Sequence, residues 1–199
     1  MAPTRYPVNL LPPRDGLFYM GTQHARHGEV STVRISEAEL DLSFAEGLLR
    51  SPTLLTDVLR GGRFKRFASE AHILAAEQSA IRPKASHWWK HWWCRLPDGS
   101  EGETDVFVVL EAEGERFALH VENKPADGKL LMKQAVDYRR RAALKANDPM
   151  WLNYTDFETI LMCPARFAEQ HAENALQFDR VLSYEDVGRI LPLFAGAAL

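Results

Sequence analysis

TDVFVVLEAEGERFALHVENKP, residues 104–125, is the stretch on which the reading of this chain turns. Two apolar runs, residues 104–111 and 116–123, flank Glu113-Gly114, and such a pattern predicts a β-hairpin. With Glu113 and Gly114 as the two turn residues, Val106 faces Val121, Val108 faces Leu119 and Leu110 faces Phe117, which makes one face wholly apolar. On the other face Glu111 meets Arg116, a favourable cross-strand pair. A slip of one residue scrambles both faces, so the register is self-consistent.

The same register sets Asp105 opposite Glu122, with Cβ atoms about 4.5–5.5 Å apart. Lys124 lies two positions beyond Glu122 and projects from the same face. Two opposed carboxylates repel, and each raises the proton affinity of the other. One ammonium offsets only part of that repulsion. A divalent cation that prefers oxygen ligands, Mg²⁺ or Mn²⁺, completes the compensation. A metal so held activates water and a phosphoryl group for phosphodiester hydrolysis. Lys124 then orients or deprotonates the water, or neutralises charge in the transition state. An Asp and a Glu on a hairpin are more often solvated than ligating. Here they stand opposed, and charge enters abruptly after the apolar run ALHV (118–121).

Outward from the hairpin, the chain has 199 residues, 46% hydrophobic and 26% charged, which suits one substantial core in a globular protein. No apolar run approaches the roughly 18 residues of a membrane span, and MAPTRYPVNLLPPRDG lacks the pattern of a secretory signal. Cys94 and Cys163 read as reduced thiols of a cytoplasmic protein rather than a disulfide or zinc set. The net charge of −3 argues against nucleic-acid binding by bulk electrostatics but allows local phosphate contacts.

Residues 1–16 are Pro-rich and read as an extended N-terminal arm, leaving residues 17–199 as a single domain. Ser36 is placed to cap a helix over 36–50, and a second helix over 53–60 stops at Gly61-Gly62. A third is expected over about 64–81, with Phe67, Ala71, Leu74 and Gln78 on one face. Residues 86–96, SHWWKHWWCRL, read as a strand closed by Pro97-Asp98-Gly99. A helix is expected over about 128–146, a strand over 158–163 and a short helix after Pro164. RVLSY (180–184) reads as a strand, with Ser183 capping a last helix over 185–191. This order predicts an α/β fold, a central mixed β-sheet flanked by helices.

TDVFVV, LHVENKP and KQAVDYRRR together resemble the PD-(D/E)xK nuclease superfamily, whose core is the restriction-endonuclease-like fold. In that pattern an Asp opens one strand, a Glu-x-Lys closes the next, and a helix follows with a Gln and an aromatic. Asp105, Glu122, Lys124, Gln134 and Tyr138 occupy those places, and Thr104 stands where the superfamily name has Pro. The similarity runs over roughly residues 36–191, through ELDLSFAEGLLRSPTLL, LMCPARF and FDRVLSYEDVGRI. It implies a bacterial-type Mg²⁺-dependent endonuclease acting on nucleic acid, chiefly DNA, and is compatible with a homodimer. Asp105 and Glu122 would hold the metal, with a further acidic ligand from an early helix, Glu46 first and Glu70 second. Lys124 and Gln134 would be catalytic, Gln134 hydrogen-bonding near the water or the scissile phosphate.

Gln134, Tyr138 and Arg141 fall on one face of the expected helix, beside a buried stripe of Leu131, Ala135 and Ala142. Tyr138, Arg139 and Arg141 are the candidate nucleic-acid contacts, although three consecutive arginines also make an ordinary solvated surface. Glu103 shares the strand parity of Asp105, and His120 shares the face of Glu122. HWWKHWW offers base-stacking aromatics among basic groups, but at least two of its four tryptophans are expected in the core. Two readings stand beside the nuclease: an inactive relative that binds nucleic acid or a protein, and an interaction module whose acidic hairpin takes no metal.

Overall fold

The computed structural model describes residues 35–198, so the expected arm over 1–16 and the start of the domain at 17 lie outside the described residues. Helix α1 (Glu37–Arg50) begins as its sequence dictates. The Ser36 hydroxyl accepts the Glu39 N–H at 3.3 Å, and the Glu39 carboxylate accepts the Ser36 N–H at 2.8 Å, a reciprocal capping box. Helix α2 (Pro52–Arg60) is capped by Ser51, opens on Pro52 and gives way at Gly61.

The stretch expected as a third helix divides. A single 3-10 turn (Lys65–Phe67) is followed by β1 (His72–Ile73), and only then by α3 (Ala75–Ile81). The cause is the neighbouring strand β4 (Val106–Ala112). β1 pairs with it antiparallel, Ile73 opposite Leu110, and the Leu74 N–H then donates to Val109 O at 2.9 Å. Where β1 ends, Gln78 takes its place. Its Nε2 donates to Phe107 O at 3.0 Å, and its Oε1 accepts the Val109 N–H at 2.8 Å. A side chain that fits a helical stripe in the sequence therefore completes a buried sheet edge.

The aromatic stretch is a strand only over β2 (Trp92–Arg95), which pairs with β3 (Glu101–Thr104) in a separate two-stranded sheet. Before it the chain turns, with His91 left-handed at φ 65°. Trp89 and Trp92 are in the core, Trp88 is half-buried, and Trp93 is 55% exposed. β3 is unanticipated, because its first three residues, Glu-Gly-Glu, carry no strand preference of their own.

β4 and β5 (Glu115–Asn123) form the expected hairpin with the expected register, from Val106 opposite Val121 to Glu111 opposite Arg116. Glu113 (φ 52°) and Gly114 (φ 79°) are both left-handed, as a type I′ turn demands. After β5 come α4 (Met132–Lys145), β6 (Asp156–Cys163), α5 (Ala165–Gln170), α6 (Ala172–Ala175) and β7 (Arg180–Ser183). Ser183 caps α7 (Tyr184–Val187), and α8 (Pro192–Ala197) closes the described chain. The expected single helix over 185–191 instead turns at Gly188. A Cβ there would lie 2.8 Å from Ala195 N, so only glycine lets α8 fold back so closely.

The main sheet has the order β1-β4-β5-β6-β7, antiparallel through β5 and parallel beyond. One face packs Val106, Val108, Leu119, Val121 and Ile160 under α1, α2, α7 and α8. The other packs Phe107, Val109 and Ala118 against Trp92, Trp151 and Tyr154, and Leu161 and Cys163 against Ala135 and Tyr138 of α4. The protein is thus α/β, a mixed five-stranded sheet flanked by helices. Among the described residues no helix is long and apolar enough to cross a membrane.

Gln78→Leu leaves Val109 N–H and Phe107 O buried without partners. At about 1–3 kcal/mol for each orphaned group, the fold should lose about 2–5 kcal/mol. Urea denaturation measures this, and an unchanged midpoint would mean the edge finds other partners.

Candidate active site

β5 delivers its last residues to the end of the sheet where the parallel strands finish, the edge at which open α/β sheets place their ligands. Glu122 is 1% exposed there, and Lys124 is buried immediately beyond the strand. Lys124 is held in line by its N–H, which donates to Met162 O of β6 at 2.9 Å. Asp105 occupies the bend between β3 and β4. Its Oδ2 accepts the Asn123 N–H at 2.9 Å, and its own N–H donates to the Tyr138 hydroxyl at 3.2 Å. The ladder of the hairpin ends at Val106 opposite Val121, and just beyond it the Asn123 N–H ties Asp105 to the last residue of β5.

Glu122 Oε1 receives both the Lys124 ammonium and the Gln134 side-chain amide. Its second oxygen, Oε2, is buried and has no partner. A buried carboxylate oxygen without a donor is costly. That unsatisfied atom, beside a second carboxylate, fits a divalent cation held by Asp105 and Glu122. Among the described residues no three His, Cys, Asp or Glu side chains converge as a ligand set. The protein supplies two carboxylates, a number that suits Mg²⁺, which keeps several waters and takes substrate oxygens.

α1 contributes acids that the sequence reading did not single out. Glu37 and Asp41 lie one turn apart, in line with the buried Phe44, Ala45 and Leu48. Asp41 is 6% exposed and accepts the Asn123 amide at 2.7 Å. Tyr184 donates to the carbonyl oxygen of the same amide, so Asn123 ties α1, β5 and α7 together. The signal was present, since carboxylates at i and i+4 on an apolar stripe are not solvated residues. Glu46 instead pairs with Arg50 at 2.9 Å, and its surroundings are Glu39, Ser43 and His87. Glu70 is exposed beyond the 3-10 turn. The fold thus brings Glu37 and Asp41, rather than Glu46 or Glu70, toward the pair.

The electrostatics follow from this crowding. Burial, then the charges of Glu122 and Asp41, hold the Asp105 carboxyl well above its ordinary range. Burial pushes Asp41 up to about 7, with Glu37 and Glu122 adding to it against the Asn123 hydrogen bond. Burial also raises Glu37. Burial by itself would depress Lys124, but Glu122 and Asp105 override it, and its proton is held more tightly than usual. Negative charge is in excess at this end of the sheet.

The candidate nucleic-acid contacts separate. Tyr138 is 1% exposed, its hydroxyl between Asp105 N–H and Val121 O, so it braces the hairpin and presents no ring to a base. Arg139 is ion-paired with Asp179, which in turn accepts from Thr159. Arg141 is 5% exposed and packs over the Tyr138 ring at 4.6 Å. Leu131, expected in the buried stripe, is 66% exposed at the helix cap, and Asp137 lies on the buried side in its stead. Glu103 is turned to His91, whose N–H it accepts at 2.6 Å. His120 is wholly enclosed between Thr104 Oγ1 and the Tyr154 hydroxyl, and burial followed by the charge of Arg141 pushes it down to about 3. It is a neutral core residue.

Comparison of the chain with protein-family models, with curated proteins and with solved structures gave no match.

Asp41 makes a pH-dependent contribution with a definite sign. Its folded carboxyl titrates near 7 and its unfolded one near 4, so the folded state binds the extra proton between those values. The stability contribution of the protonated carboxyl is complete below about 4 and is lost as pH rises toward 7. Asp41→Asn should therefore gain on the wild type from pH 4.5 to pH 8, by on the order of 2–4 kcal/mol. Parallel curves of stability against pH would refute the assignment.

Proposed function

We propose that this chain is a divalent-metal-dependent nuclease of the PD-(D/E)xK type on a restriction-endonuclease-like core, hydrolysing phosphodiester bonds, with DNA as the expected substrate. The observation that carries the reading is the unpartnered, buried Oε2 of Glu122, set beside the electrostatically strained Asp105 and the Lys124 ammonium. An acidic hairpin serving only as a surface would have solvated carboxylates, whereas here Glu122 is buried and Asp105 is partly buried. The order of Asp105, Glu-x-Lys and a following helix with Gln134 supports the same reading.

A Mg²⁺ or Mn²⁺ bound by Asp105 and Glu122 supplies Lewis-acid activation of water and of the phosphoryl group. The remaining work falls to the protein. Gln134 and Lys124 both grip Glu122 Oε1, which fixes the carboxylate and commits Oε2 to the ligand. Lys124, ion-paired with Glu122, would set a cation against the negative charge that develops at phosphorus. Asp105 is aligned by the Asn123 N–H, so its free rotation is removed before any ligand arrives. Asp41 acts through Asn123 and sets the local charge.

Incubation with plasmid, linear and single-stranded DNA and with RNA, in Mg²⁺, Mn²⁺ or EDTA, tests this directly. Cleavage is expected with either metal and none with EDTA. Asp105→Ala and Glu122→Gln should lower the rate by about 10³-fold or more, and Lys124→Ala by about 10²–10⁴-fold. Cleavage that survives Asp105→Ala or Lys124→Ala would overturn the mechanism. Metal-dependent thermal stabilisation that Asp105→Ala abolishes, without cleavage by the wild type, would identify a catalytically silent binding protein.

A further inference from the structure

A cleft of about 440 Å³ opens beside the carboxylate pair, between β3 and the first turns of α4. Ser100, Glu103, Asp105, Lys133, Gln134 and Arg141 are among the residues that line it. Its acids are already neutralised, each by its own cation or N–H donor. Asp137 is held by Lys133 at 2.6 Å and by Arg140 at 2.7 Å, Glu101 by Arg95, and Glu103 by His91. Only Asp105, assigned above to the metal, is left.

Arg141 is the exception among the cations. Its guanidinium is 5% exposed, its Nε is buried without a partner, and no described carboxylate pairs with it. Only the Tyr138 ring face answers its charge. Arginine cannot shed its proton to escape burial, so a desolvated guanidinium needs an anion. The fold makes deliberate room for it. A Cβ on Gly102 would lie 2.6 Å from Arg141 Nη1 and 2.9 Å from Cζ, so a side chain at position 102 would displace the guanidinium. Tyr138 meanwhile bonds the Asp105 N–H with its hydroxyl and carries Arg141 on its ring, which links the two charges rigidly.

We infer that Arg141 is a preformed receptor for a backbone phosphate of the nucleic-acid strand lying in this cleft, next to the phosphate that is cleaved. The inference rests on the nuclease reading for the source of the phosphate, and on the geometry alone for an anion. A planar fork of donors suits a phosphate oxygen pair. The neighbouring arginines cannot serve, since Arg139 and Arg140 are spent on Asp179 and on Asp137 and Asp98.

Binding is measured apart from cleavage, by fluorescence anisotropy of short DNA and RNA oligonucleotides in EDTA and in Ca²⁺, across a salt series. Arg141→Met should weaken binding by about 5–10-fold and reduce the salt slope by about one. Gly102→Ala, which keeps the charge but displaces it, should weaken binding comparably. Without ligand, Arg141→Met should melt at the wild-type temperature or a few degrees higher, because it removes an unpaired buried charge. A residue with a purely structural role would lower it. Sulfate and inorganic phosphate should stabilise the wild type against heat and leave Arg141→Met unaffected. If oligonucleotide affinity and salt slope are unchanged in Arg141→Met while Asp105→Ala abolishes cleavage, the phosphate assignment falls and the nuclease stands. If the wild type neither binds nor cuts any oligonucleotide, the nuclease reading falls and the phosphate-backbone assignment falls with it. A phosphate-dependent stabilisation confined to the wild type would then leave an anion site for another phosphorylated ligand. Should Arg141→Met not fold, Gly102→Ala with the phosphate titration decides the matter.

Discussion

Glu37, Asp41, Asp105 and Glu122 meet at one end of the sheet with Lys124 as the ion-paired cation among them. That surplus of buried negative charge constrains everything around it. Carboxylates removed from water either take up protons or acquire counter-charge. The raised proton affinities of Asp41 and Asp105 are the first response, and the tightly held proton of Lys124 is its complement. A divalent cation answers the same constraint more completely. In the proposed reading the site is kept short of positive charge so that a bound metal completes it.

Rigid elements hold that charge in place. Asn123 aligns Asp105 with its backbone and Asp41 with its side chain, while Tyr184 fixes the amide from the opposite face. Tyr138 does the equivalent from below, spanning Asp105 N–H and Val121 O. Both residues sit in the packed core, so the charges cannot relax apart without disturbing the sheet.

The basic side chains of α4 divide by the same logic. Arg139 and Arg140 reach Asp179 and Asp98 outside the helix, while Lys133 and Arg140 also hold the buried Asp137 of α4 itself. Such pairs contribute modestly to stability. Arg141 alone points inward, where no described acid awaits it. Three consecutive arginines thus serve different ends, and helical geometry, rather than composition, sorts them.

The hairpin was legible locally, because Glu113-Gly114 supply the left-handed turn that pairs Val106 with Val121 and Glu111 with Arg116. With it came the placement of Glu122 at the end of β5 and of Lys124 just beyond it. Helix caps at Ser36, Ser51 and Ser183 were equally local, since a cap needs only its own next turn. Only the tertiary structure decided that Gln78 closes a sheet edge, that β3 pairs at all, and that Tyr138 lies beneath the site rather than upon it. It also chose Glu37 and Asp41 over Glu46, because the face that α1 buries depends on where β5 ends and not on α1 itself. Long-range packing and desolvation, which act between residues far apart in the chain, carry that information.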